Sequence, residues 1–125
     1  MSTTLISTTS HGTPTGNYDG SSTSFTSDST KGDGYFGYTD GLHTISLTTN
    51  GFVGTITVEG TLVDNPTNSD WFTLRDTSGS NLIYGDGSTT LTTSIVNNFI
   101  ANTVHVRAKV DSFTAGSITK LQFNY

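Results

Sequence analysis

The amino-acid sequence predicts an all-β protein, a single antiparallel β-sandwich with jelly-roll topology as one option, preceded by an extended N-terminal arm. Three observations carry that expectation. Strongly hydrophobic residues make up 31% of the chain and charged residues only 12%, both below ordinary globular shares, while Ser, Thr, Gly and Asn fill the gap. Apolar residues recur with a period of two, the spacing of a half-buried strand. Between them stand Asp-Gly and Asn-Gly dipeptides, which accept the positive φ that tight turns require.

Along the chain, residues 1–31 read as the arm. More than half of the residues from Ser2 to Lys31 are Ser or Thr, and Gly12, Pro14, Gly16 and Gly20 interrupt any period. Such a segment buries too little apolar surface to offset its own ordering entropy, so it is expected to be extended, flexible or ordered only against a partner. A mobile terminus is the plainer alternative. Residues 32–125 read as the β domain. Ile45 and Leu47 mark a first strand. Phe52, Gly54, Ile56, Val58 and Leu62 share one parity, with Thr55, Thr57 and Glu59 on the other. Phe72 with Leu74, and Leu91 with Ile95, mark two more. Val104, Val106, Ala108 and Val110 alternate with His105, Arg107 and Lys109, giving a dry face and a charged one. Leu121, Phe123 and Tyr125 carry the pattern to the end of the sequence. Asp40-Gly41, Asn50-Gly51 and Asp86-Gly87 are expected as turns and Asn65-Pro66 as a looser loop, for about seven or eight strands in all. No repeat of solenoid or propeller length is present.

Composition also narrows the function. The net charge of −5, with only five Lys and Arg, argues against a nucleic-acid partner. The absence of cysteine rules out disulfides and thiolate metal sites. The opening MSTTLISTTSHG has neither a basic n-region nor an apolar h-region, and no long apolar run follows, so neither a Sec signal nor a membrane span is expected. Several aspartates stand beside glycine (Asp19, Asp33, Asp40, Asp86), but without the one-three-five spacing of a calcium loop, so they are read as turn residues. His11, His43 and His105 lie too far apart for a ligand motif and are read as surface or strand residues. Glu59 is the only glutamate, and nothing singles out Asp64, Asp70 or Asp76 as a catalytic pair. No cofactor, metal or catalytic residue is expected, and the chain is not read as an enzyme.

The interaction candidates are aromatic and basic. Tyr35, Phe36 and Tyr38 crowd into GYFGY, and Trp71 has the parity opposite to Phe72 and Leu74. Exposed aromatics can stack on sugars or anchor an interface; the plainer reading has Trp71 packed at the sandwich edge or beneath GYFGY. His105, Arg107 and Lys109, joined by Lys120, form a basic strip that could dock on an acidic neighbour, against the plainer reading of a solvated sheet face.

The segments GDGYFGYTDGLHTISL (Gly32 to Leu47), FVGTITVEGTLVDNPTNSDWFTL (Phe52 to Leu74) and NNFIANTVHVRAKVDSFTAGSITKLQFNY (Asn97 to Tyr125) resemble the small virion-associated proteins of tailed phages of marine cyanobacteria. The resemblance spans most of the β domain, excludes the arm and brings no catalytic residues. It implies a virion structural protein, a capsid decoration or cement protein that partners capsid or other virion proteins and forms a homo-oligomer, a trimer for preference. The alternative is a carbohydrate- or receptor-binding module of a head or tail fibre, taking host-surface glycans on Trp71 with Tyr35 or Tyr38. The expected interaction residues are therefore Tyr35, Tyr38, Trp71, His105, Arg107 and Lys109.

Overall fold

The computed structural model describes residues 2–37 and 41–124. Nine strands and one turn of α-helix follow in order: β1 (Ser2–Ile6), β2 (Thr9–Ser10), β3 (Phe25–Thr26), β4 (Thr30–Lys31), α1 (Asp33–Phe36), β5 (Leu42–Thr61), β6 (Phe72–Thr73), β7 (Ile83–Tyr84), β8 (Leu91–Ile100) and β9 (His105–Asn124). All pairings are antiparallel and belong to one sheet. The all-β expectation is met. The hydrogen bonding among the described residues forms one continuous sheet.

Two strands of 20 residues, β5 and β9, pair along their whole lengths, from Thr44 opposite Asn124 to Thr61 opposite His105. Sequence reading divided each of them in two. Asn50-Gly51, expected as a hairpin turn, is instead a bulge: Gly51 takes φ 62° and its N–H donates to Thr92 Oγ1, while the ladder to β9 resumes at Val53. The left-handed backbone that a type I′ turn demands also serves a G1 bulge, so the dipeptide alone does not distinguish them. The partner strand has its own irregularity, with Ser112 at φ 54° and Gly116 at φ 76°. Leu62, expected on the core face, lies beyond the last residue of β5 and is exposed.

These bulges let the sheet curl. A straight strand of β5's 20 residues would extend about 66 Å. Yet the Ala101 N–H donates to Gly41 O beside its start, and the Val104 N–H donates to Thr61 O at its end. Residues 101 to 104 reach about 11 Å at most, so the two ends of β5 lie within about 20 Å of one another. The bulges also restore the inner face. Ile45 and Leu47 point inward before Gly51, Phe52, Ile56 and Val58 after it, and Val106, Ala108, Val110, Phe113, Leu121 and Phe123 face them from β9.

Residues 2–31, read as an arm, follow the outer edge of β9 in four short antiparallel pairings, from Ser2 opposite Asn124 to Lys31 opposite His105. Leu5, Ile6 and Tyr18 join the core, and Tyr18 is only 1% exposed. Its ring packs with Phe25 and Phe113, and its hydroxyl accepts from the Gly12 N–H at 2.9 Å. Phe113 also meets Phe52 and His11. The arm is thus ordered against its own chain's β9, and a boundary at residue 31 falls inside one sheet. No helix among the described residues is long and apolar enough to cross a membrane.

Candidate interaction surface

The outer face of β9 gathers most of the expected residues at one end. His105, Arg107 and Lys109 alternate with the fully buried Val106, Ala108 and Val110, as strand parity predicts. The turn of α1 sets Tyr35 beside them, its ring 6.0 Å from that of His105 and 4.3 Å from Lys31 Nζ. Gly37, at φ 76°, ends the helix after one turn. Tyr35 is 49% exposed and Phe36 packs edge-on against it. Tyr38 and Asp40 lie outside the described residues.

The basic strip is not an open docking surface. Arg107 is buried, its Nε donating to Glu59 Oε1 at 3.0 Å across the β5–β9 ladder. Trp71 lies over the guanidinium, its ring centroid 4.3 Å away. The connection from Leu62 to Trp71 folds across this face. Thr67 and Asp70 close a capping box at its single 3₁₀ turn, Asn68 Oδ1 accepts from Arg107 at 3.4 Å, and the Asp64 carbonyl lies 3.0 Å from His105 Nε2. Lys109 stands 3.8 Å from the Asp111 carboxylate, with both side chains partly exposed. Alternation assigns the correct face of the strand but gives no sign that a loop 36 residues earlier covers it. Lys120, the fourth basic candidate, pairs opposite Thr48 at the far end of β9. Ser24, Phe25, Asn68, Arg107 and Lys109 line a shallow groove of ≈ 290 Å³.

The aspartates beside glycine and serine close turns. Asp19 Oδ1 accepts from the N–H groups of Ser21 and Ser22, and Asp86 Oδ1 from those of Ser88 and Thr89. The Ser22 hydroxyl chiefly holds the Asp19 carboxyl down to about 2, and the Thr89 amide does the same for Asp86. Asp76 is likewise lowered, led by the Ser78 hydroxyl. Asp33 departs from the turn reading: it is buried in the first turn of α1 and accepts from the Gly41 N–H at 2.9 Å, with His43 Nε2 3.7 Å away. His43 is a core residue packed against Phe99 and Phe123. Among the described residues no group of three or more His, Asp or Glu is placed to hold a metal ion.

A second surface was not singled out from the sequence. Among the described residues strand β8 pairs with no strand other than β5, and on its other side the Thr77 N–H donates to the Asn98 carbonyl. Its ten residues, LTTSIVNNFI, include no charge and no proline, the two devices by which edge strands usually deter pairing. Val96 and Ile100 are 65% and 66% exposed, and Leu42, directly opposite Ile100, is exposed as well. Ile100 continues into a groove of ≈ 650 Å³ whose rim includes the exposed Leu62 and Phe72. The legible signal was the uncharged run itself; its edge position depends on the topology. No protein-family profile matches the chain, and neither a curated protein nor a solved structure matches it.

Proposed function

We propose that this protein is a non-catalytic structural module that works by lateral association, and that it serves as a decoration or cement protein on a phage particle. The observation that carries the reading is the uncharged β8 edge, open from Thr92 to Val96 among the described residues, beside exposed Leu42, Val96 and Ile100. A soluble monomer gains nothing from such an edge, which invites strand addition, whereas an assembling protein uses it. The turn chemistry that occupies Asp19, Asp76 and Asp86 is consistent with a rigid scaffold. The virion setting is supported by the sequence resemblance alone. The test is to incubate purified protein with particles stripped of accessory proteins and measure co-sedimentation and heat resistance of the particles. Saturable binding with increased heat resistance is expected; a protein that stays monomeric and leaves the particles unchanged refutes the proposal.

The glycan-binding alternative now centres on Tyr35, because one face of the Trp71 ring is taken by Arg107 while the Tyr35 ring is half exposed. Aromatic rings of this kind stack on sugars. Glycan-array binding that is lost in Tyr35→Ala with the fold intact would favour it.

A further inference from the structure

We infer that β8 is a self-recognition edge, pairing antiparallel with β8 of a second copy about a twofold axis at Ser94. This rests on the reading of the protein as an associating module and names its partner. In an antiparallel strand the N–H and C=O of one residue point to the same side and alternate from residue to residue. The Ala101 N–H bonds back to Gly41 O on the β5 side, whereas the Asn98 carbonyl accepts from Thr77 N–H on the opposite side. Odd-numbered residues of β8 therefore face β5, and even-numbered ones face outward.

Asn98 is thus already engaged at one end of the edge. Thr92, Ser94 and Val96 remain, with backbone groups turned outward that meet no other backbone group among the described residues. Three consecutive outward residues define a single self-pairing register that uses all of them, with Thr92 opposite Val96 of the second copy and Ser94 opposite itself. That register makes about six new backbone hydrogen bonds. It also sets exposed β-branched side chains against one another on the outer face, Val96 beside Thr92, a favoured cross-strand pairing. Charge permits it. The chain carries −5 overall, but residues 91–100 carry none, so two copies meet there without like charges face to face. The result is a twofold pair rather than the trimer expected from the sequence, since an isologous edge closes on itself.

Sedimentation of the full chain over a wide concentration range tests this. Wild type should show a monomer–dimer equilibrium. Ser94→Pro removes the outward N–H without touching a bond to β5, and Ser94→Lys puts two lysines directly opposite; each should weaken dimerisation about tenfold or more. Retained circular dichroism in Ser94→Lys separates loss of pairing from loss of fold. Because the chain has no cysteine, Ser94→Cys should give a disulfide dimer under mild oxidation, faster than Ser21→Cys in the exposed turn at Asp19. Dimerisation undiminished in Ser94→Lys, or equal cross-linking from both cysteines, overturns the twofold pair. A wild-type monomer that still binds stripped particles overturns it while leaving the structural role in place. A dimer lost in Ser94→Lys, from a protein that binds no particle, upholds the pair and removes the role.

Discussion

Breaking the Glu59–Arg107 pair from one side should cost far more than removing both charges together. Arg107 Nε lies 3.0 Å from Glu59 Oε1, and the side chains are 10% and 12% exposed. Arg107→Met would strand the largely buried Glu59 carboxylate, whose side-chain hydrogen bond among the described residues is to the lost guanidinium. Removing one member of a fully buried pair costs about 3–5 kcal/mol; the residual exposure here brings this to about 2–3 kcal/mol, with part of a cation–π contact to Trp71 lost as well. Against a total stability of about 5–15 kcal/mol, at about 3–5 °C per kcal/mol for a domain of this size, the melting temperature should fall by about 6–15 °C. Glu59→Leu should cost about the same, leaving a buried guanidinium without its carboxylate. The double variant Glu59→Leu/Arg107→Met strands no charge, and it should lie within about 1 kcal/mol of wild type. Thermal denaturation of the four proteins at neutral pH closes the double-mutant cycle. A double variant that loses the sum of the single losses would show that the pair is solvated and that Trp71 does not seal it.

Phe113→Ala should cost about 3–5 kcal/mol and loosen residues 2–31 before the β5–β9 ladder, because Phe113 packs on His11, Tyr18 and Phe25. Hydrogen exchange should quicken first at the amides of His11 and Ser27, which bond to β9 carbonyls; uniform quickening across the sheet would contradict this. Gly116→Ala would drive a methyl group onto the Gly51 carbonyl at φ +76°, whereas Gly12→Ala, at φ +89°, meets nothing within 4 Å. Gly116→Ala should therefore abolish folding or cost upwards of about 3 kcal/mol, and Gly12→Ala about 1 kcal/mol, as read by urea denaturation. Burial, then the nearby Asp76 charge, pushes the Tyr84 hydroxyl from 10.0 to about 12. Its folded value is raised, so its contribution is complete below pH 10 and is lost as pH rises from 10 to 12 while the unfolded chain ionises. Tyr84→Phe should flatten the melting temperature across that window. At the acid end, Asp19 and Asp86 titrate at about 2 when folded against 3.8 otherwise, so their contribution is present above pH 3.8 and is lost as pH falls towards 2. Asp19→Asn with Asp86→Asn should make the acid limb of the melting curve shallower.

Local chemistry was legible without coordinates. The alternation of Val106, Ala108 and Val110 with His105, Arg107 and Lys109 assigns each to its face of β9, because side-chain direction in a strand depends only on parity. Asp86-Gly87 reads as a turn because an aspartate carboxylate reaches the amides two and three residues on. The candidate surface was legible only in part. Tyr35, Trp71, His105 and Arg107 do lie near one another, but the charge state of that neighbourhood depends on Glu59, which shares no local pattern with any of them. His43 has the parity of Ile45 and Leu47 and could have been assigned to the core on that ground.

What the sequence determined by itself was secondary-structure type, strand parity and turn chemistry, all set by interactions within a few residues. Tertiary structure decided everything that depends on a distant partner. Asn50-Gly51 is a bulge because β9, more than 60 residues later, pairs with β5 on both sides of it. The Ser/Thr-rich segment is ordered because Tyr18 and Phe25, too sparse to form a core alone, find Phe113 on that same strand. The edge at Thr92–Val96 is open because the chain crosses at residues 101–104 to the far end of β5, leaving β8 with one paired strand among the described residues. Backbone hydrogen bonds in a sheet are made between segments remote in sequence, so which edges end unpaired is a property of the topology and not of any local run of residues.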